Sequence, residues 1–287
     1  MNIQWYPGHM AKAKRSIRSD LALVDLIIEI VDARCPESSR NPDIDSFAKD
    51  KIRIVLLNKT DLADRRITRD FSDFFAKIGC YTMEIDARNK ASLKKLNALI
   101  DTACRPVIER NARKGIQTPV IRAMVLGIPN VGKSTFINSY VGKAMTRTGN
   151  KPGVTRGNQW IKVNERLQLL DTPGITWPKF EREIVGMNLA LIGSINDEVV
   201  NLDELVFYLL KYLVRYYPDA VKNRYGVEIQ NEEEAIHVFD EIGMKRGCIK
   251  KGGDVDYGKA AKLILDDFRS GRLGQITLER PGNKHAE

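Results

Sequence analysis

Gly127-Ile128-Pro129-Asn130-Val131-Gly132-Lys133-Ser134 is the stretch whose reading decides the fold. It matches the full GxxxxGK[ST] pattern. An apolar run, Pro119 to Leu126, leads into it as a strand, and Val131 to Tyr140 continues from it as a helix. A loop in that position can turn its backbone N–H groups on phosphates, and the helix N-terminus adds positive potential. Val131, Gly132 and Thr135 belong to this cradle. Lys133 is expected on the β and γ phosphates, and Ser134 offers its hydroxyl to Mg²⁺.

Three further stretches work with it. Downstream, Asp171-Thr172-Pro173-Gly174 closes the apolar run Leu167 to Leu170. Asp171 is a candidate Mg²⁺ ligand acting through water. Gly174 is positioned to give its N–H to the γ phosphate, where a side chain would crowd the approach. Upstream, Asn58-Lys59-Thr60-Asp61 closes the run Ile52 to Leu57. The Asp61 carboxylate can accept from N1 and the 2-amino group of guanine, and adenine offers no such pair of donors. Asn58 can bond the purine edge and tether the phosphate loop, while the Lys59 stem covers the ring. Asp86-Ala87-Arg88 stands at the next strand end. A GTPase usually has Ser-Ala-Lys there, with the Ala N–H on guanine O6, and only Ala87 is retained. An isolated NKxD or DTPG is often no more than a turn. Together with a complete phosphate loop they read as a site for GTP in preference to ATP. Thr155, in the basic stretch 151–157 (KPGVTRG), is the candidate effector-loop threonine for Mg²⁺ and the γ phosphate.

The order of these parts is rotated. An ordinary GTPase has its phosphate loop first and its base reader near the end, whereas here NKTD comes first. All of them lie at strand C-termini, where open α/β sheets bind ligands. Rotation is tolerated when the original termini are close and a connector joins them. Arg105 to Thr118, basic and turn-rich, reads as that connector and not as a core element. The new break falls after DTPG, so whatever follows hangs from the second switch. Apolar strands alternating with helices predict a mainly parallel sheet covered on both faces. The expected fold is therefore α/β, a circularly permuted P-loop GTPase domain over residues 1–179 with a basic N-terminal helix, followed by a small helical domain over residues 180–287. In that second part Leu202 to Tyr217 is an apolar helical run stopped by Pro218. Asn231 with Glu234 forms a capping box for a helix that Gly243 ends, and Asp254 to Phe268 repeats the helical pattern.

The formal charge is +9, from 46 Lys and Arg against 37 Asp and Glu. That balance favours a polyanionic partner without naming it. Basic residues cluster at Lys12, Lys14, Arg15 and Arg18, again over 142–157, and at Lys245, Arg246, Lys250, Lys251, Arg269 and Arg272. Cys35, Cys80, Cys104 and Cys248 are far apart, which predicts core thiols in a reducing compartment. Met1 to Lys14 lacks the apolar core of a signal peptide, and Leu21 to Val31 is too short and too charged to span a bilayer. A cytoplasmic location, without a membrane partner, is expected.

The order NKTD, GIPNVGKS, KPGVTRG, DTPG, preceded by Trp5-Tyr6-Pro7-Gly8-His9-Met10, resembles the RbgA (YlqF) family of bacterial circularly permuted GTPases over essentially the whole chain. The resemblance implies GTP hydrolysis coupled to late maturation of the large ribosomal subunit. The implied partners are its precursor particle and ribosomal RNA, with no DNA role, and the implied C-terminal domain is like an RNA-binding antiterminator module. Many small GTPases place a water-orienting Gln just after DxxG. Here Ile175 stands there, and the resemblance implies such a hydrophobic substitution. It makes His9 the candidate catalytic group, with Lys133, Thr155 and Gly174 completing the set. It also implies potassium as a further cofactor beside GTP, GDP and Mg²⁺, with Asn130 as its ligand. A GTPase switch with a protein effector and no RNA role is the alternative function.

Overall fold

The computed structural model describes residues 8–146, 158–177, 180, 182–229 and 234–282. Its sheet has six strands, β1 (Leu26–Asp32), β2 (Ile52–Asn58), β3 (Tyr81–Glu84), β4 (Ile121–Leu126), β5 (Gln159–Asn164) and β6 (Leu167–Asp171). Their spatial order is β3-β2-β1-β4-β6-β5. Every neighbouring pair is parallel except the β5–β6 hairpin. The central strand β1 is buried at all seven positions, as expected of a strand covered on both faces.

Before and between the strands run α1 (Gly8–Asp20), α2 (Asp43–Phe47), α3 (Arg65–Lys77), α4 (Leu96–Ala103), α5 (Arg105–Arg113) and α6 (Lys133–Val141). After β6 come only helices among the described elements, α7 (Glu183–Leu191), α8 (Leu202–Tyr216), α9 (Pro218–Tyr225), α10 (Ala235–Lys245) and α11 (Tyr257–Arg269). On one part of the sheet α1 and the turn after it bury Met10, Ile17 and Leu21 against Ile27, Met124, Leu126, Leu170 and Ile175. Alongside, α3 buries Phe71 and Phe75 against Val31, Val55 and Leu57. The largest cluster runs from the other face, through Ile28, Ile30 and Val125, into α7, α8, α10 and α11.

Four expectations change. The stretch from Arg105 is not a bare connector, because Pro106 sits in the first turn of α5 and Val107 joins the main core. Proline suits that turn, since its missing N–H has no intrahelical partner there. Gly243 lies inside α10, where a Cβ would meet Val255 Cγ1 at 2.5 Å. Close packing against the Ile249–Val255 bridge requires it, and the helix ends at Arg246 and Gly247 instead. The basic N-terminal segment is more than an extension, because the apolar side of α1 is in the core. Finally, the helical part is held at both ends. After α11 the chain returns to the sheet, with Ile276 N–H on Leu62 O at 3.0 Å and Leu278 N–H on Arg34 O at 2.7 Å. The Asn231 cap lies outside the described residues.

Candidate nucleotide site

The phosphate loop joins β4 to α6, and its shape depends on residues without side chains. At Gly127 a Cβ would lie 2.8 Å from Ile30 O. Gly132 has φ +95 and packs directly on the Asn58 amide, so any side chain is excluded twice over. Gly174, three residues past β6, touches the loop, and a Cβ there would sit 2.9 Å from Pro129 N. The crowding expected at Gly174 is thus against the loop backbone itself.

Lys133 and Asp171 face each other at the base of this loop. Lys133 Nζ lies 3.2 Å from Asp171 Oδ1 and also donates to Thr172 O. Lys133 is 6 % exposed and Asp171 is 1 % exposed. Burial lowers the Lys133 ammonium pKa, and the Asp171 carboxylate offsets this in part. Ser134 and Thr135 are half-buried in the first turn of α6. One carboxylate and one hydroxyl beside a phosphate cradle fit Mg²⁺, which takes few protein ligands and completes its shell with phosphate and water. No cluster of three or more metal-ligating His, Cys, Asp or Glu side chains exists among the described residues.

The base-reading loop is fastened to the phosphate loop through Asn58 and Lys59. Asn58 Nδ2 donates to Val131 O at 2.7 Å, and its Oδ1 accepts from Ala87 N–H at 2.9 Å. The tether expected of Asn58 is present, but the Ala87 N–H is engaged there and not free for a purine oxygen. The next N–H, of Arg88, bonds Asp86 Oδ1 at 3.0 Å. Lys59, in the left-handed region at φ 64, reaches Asn130 O at 2.7 Å and Asp32 Oδ2 at 2.9 Å. Burial lowers its pKa, with Asp32 opposing. Burial would raise the Asp32 carboxyl, but Arg34 and Lys59 outweigh it and hold it below the usual carboxylate range. Asp61 keeps an unused carboxylate acceptor. Its Oδ1 is buried without a hydrogen-bond partner, an atom suited to a guanine donor. Its Oδ2 pairs with Arg88 Nη2. Arg88 is therefore an ion-pair partner of Asp61 and Asp86 and not a base ligand in this geometry.

The Asn130 amide is turned toward the segment after α7. Its Nδ2 donates to Gly193 O at 2.6 Å, and Ser194 Oγ donates to Pro129 O at 2.6 Å. The segment after α7 thus grips the phosphate loop, and only Asn130 Oδ1 has the chemistry to face a cation. Thr155 and the rest of KPGVTRG lie outside the described residues. His9 is in α1, and its side chain is likewise outside them. Its neighbour Met10 is fully buried, and Met10 Sδ accepts from Thr176 Oγ1 at 3.2 Å. Ile175 is 4 % exposed in the same cluster, so it has no part in orienting water.

Several site residues carried no sequence signal. Asp32 and Arg34 form a buried pair, bidentate at 2.9 and 2.8 Å, and Arg34 also lies over the Phe268 ring of α11. Only the Asp-Ala-Arg at the end of β1 hinted at them. Thr277 Oγ1 accepts from Asp64 N–H at 3.0 Å, and Gln275 Nε2 lies 3.4 Å from Asp61 O. Glu279 is half-buried and accepts from Glu37 N–H at 2.8 Å, Ser38 N–H at 3.0 Å, the Ser38 hydroxyl and Asn188 Nδ2. Burial pushes its carboxyl up to about 7 against the pull of those donors. Two of the C-terminal basic residues expected to face a polyanion are internal clamps. Arg269 binds Asp197 and the carbonyls of Ala190 and Leu191, and Arg272 binds Asp266 and Asp267.

A sheet of this strand order, with a phosphate loop after its fourth strand and a base reader after its second, defines a P-loop GTPase of circularly permuted order. Residues 122–235 match the family model described as "50S ribosome-binding GTPase". The chain is 46% identical to ribosome biogenesis GTPase A of Priestia megaterium, over 98% of each chain. It is 34% identical to mitochondrial ribosome-associated GTPase 1 of Mus musculus, over 96% of this chain and 90% of that one. A crystal structure of GNP-bound YlqF from T. maritima superposes with a TM-score of 0.65 at 28% identity, over 94% of this chain and 99% of that one. The chain belongs to the ribosome biogenesis GTPase A family, also called RbgA or YlqF. It binds guanine nucleotides and hydrolyses GTP. No described helix is long and apolar enough to cross a membrane.

Proposed function

We propose that this chain is a GTP-driven assembly factor. In this reading it binds a precursor of the large ribosomal subunit, contacts its RNA and promotes late maturation from a cytoplasmic location. The observation that carries the reading is the double grip on the nucleotide site. Gly193 and Ser194 hold the phosphate loop while residues 275–279 hold the base loop and the loop after β1. Both contacts come from the helical part, so nucleotide occupancy and the placement of that part are mechanically linked. A ribosomal particle as partner is supported by the match to the 50S ribosome-binding GTPase model and by the ribosome biogenesis and ribosome-associated relatives. RNA contact is supported by the charge of +9 and by exposed Lys250 and Lys251 at the turn between α10 and α11. The division at 179/180 is proposed as one of function, catalysis before it and RNA contact after it.

For the reaction, Asp61, Asn58 and Lys59 select and seat guanine. The backbone of Asn130 to Thr135 cradles the phosphates, and Lys133 leaves Asp171 for the β and γ oxygens. Ser134, Asp171 and Thr155 are the proposed Mg²⁺ ligands, and Mg²⁺ held by them would supply charge neutralisation at those oxygens. Gly174 gives its N–H to the γ phosphate. His9 orients the water, a role supported by the fastening of neighbouring Met10 to Thr176 just after DTPG. Potassium at Asn130 Oδ1 is proposed as a second source of charge compensation. Hydrolysis is slow alone and rises on the particle.

Co-sedimentation with precursor particles, in a GTP analogue and in GDP, together with phosphate release, tests this reading. Binding in one nucleotide state with stimulated release is expected. Contact with about six phosphates gives a log–log salt slope of about −5. Binding indifferent to salt would favour a protein effector, and equal binding in both states would refute the switch.

A further inference from the structure

Arg88 is the residue of the site whose geometry conflicts with the task of its neighbours. It is two-thirds exposed, and its Nη2 occupies Oδ2 of Asp61 while its Nε holds Asp86 Oδ1 at 3.1 Å. The other Asp61 oxygen, Oδ1, is buried and has no partner. Guanine presents two donors to this carboxylate, N1–H and the 2-amino group, and full recognition uses both oxygens. One oxygen lacks a partner and the other is taken by a guanidinium.

We propose that Arg88 is a specificity-tuning latch that competes with the guanine 2-amino group for Asp61. A base with one donor on that edge needs only Oδ1, which is not the oxygen that Arg88 holds. Hypoxanthine is such a base, because it keeps N1–H and lacks the 2-amino group. Guanine must open the latch to make its second bond, so Arg88 weakens guanine nucleotides and leaves inosine nucleotides alone. Asp86 gives the displaced arginine a place to stay, which keeps the cost of opening small. An exposed ion pair of this kind changes an equilibrium by about two- to fivefold. The same contact serves the rest of the cycle. A small penalty on guanine binding speeds nucleotide release without removing any group that reads the base. The inference rests on Asp61 as the base reader.

The test is calorimetric titration of the full chain with GDP and IDP. Arg88→Ala is expected to tighten GDP by about two- to fivefold and to leave IDP unchanged, so that the GDP/IDP ratio widens. Arg88→Lys, which keeps a cation on Asp61, should retain a ratio close to that of the parent. A purely structural role for Arg88 would move both nucleotides together. Equal changes, no change in either, or weaker GDP binding in Arg88→Ala would overturn the proposal. Asp61→Ala separates the two levels of the argument. If that variant still prefers GDP to ADP as strongly as the parent, the base-reading assignment fails. If the preference collapses while Arg88→Ala leaves the GDP/IDP ratio alone, only the latch fails.

Discussion

Glu279→Gln should change how the stability of this GTPase depends on pH. The Glu279 carboxyl sits at the junction of the returning C-terminal segment, the loop after β1 and α7. It is half-buried, and the loss of solvent pushes its pKa up to about 7 from 4.5. A raised acid pKa means that the folded chain holds a proton that the unfolded chain has released, between those two values. Stability from this group is therefore full below 4.5 and falls as pH rises through 7. The shift of about 2.5 units corresponds to roughly 3 kcal/mol. Glutamine does not titrate, so its curve lacks this fall. Its NH₂ also meets the N–H groups of Glu37 and Ser38, and an unsatisfied buried donor costs about 1–3 kcal/mol. The variant should be less stable at pH 4.5, and the gap to the parent should close by about 3 kcal/mol by pH 7.5. Urea unfolding at intervals across that range gives both curves. Parallel curves for parent and variant would refute the reasoning, because they would place the Glu279 titration equally in the folded and unfolded chains.

Other outcomes follow from the site. Asp61→Asn should lose guanine affinity and gain xanthine affinity, because an amide donor then meets the 2-oxo group, and competitive calorimetry with GDP and XDP reads the shift. Lys133→Ala should weaken nucleotide-phosphate binding by about 2–5 kcal/mol; a folded variant with parent-like affinity and turnover would reject the assignment. His9→Ala should leave GTP affinity nearly intact and lower particle-stimulated kcat by about tenfold or more. Unchanged kcat at saturating particle would move the catalytic role to a cation at Asn130 or to the particle. Ser194→Ala removes the hydroxyl donated to Pro129 O, with a cost of about 1 kcal/mol in stability or GDP affinity, read by thermal melting with and without GDP.

The local pattern of the chain determined its elements and the chemistry of its motifs. Glycines at 127, 132 and 174, a lysine and a serine after a buried strand, and NKTD after another are short-range facts. Apolar runs of strand length with helical stretches between them dictate a parallel sheet, and the rotated motif order dictates its permutation. What lies between distant segments was decided only by tertiary packing. Asp32 and Arg34 look like any strand end in sequence. Their importance comes from burial beside Lys59 and under Phe268, which raises the cost of leaving either charge unpaired. Arg88 looked like a base-loop residue, and the ion pair with Asp61 depends on two strand ends that only the sheet brings side by side. Residues 271–280 carry no motif at all. They matter because the chain turns back after α11 and satisfies the buried and half-buried hydrogen-bonding groups of Leu62, Asp64, Arg34 and Ser38. A buried polar group must find a partner somewhere, and which part of the chain supplies it is a property of the folded molecule.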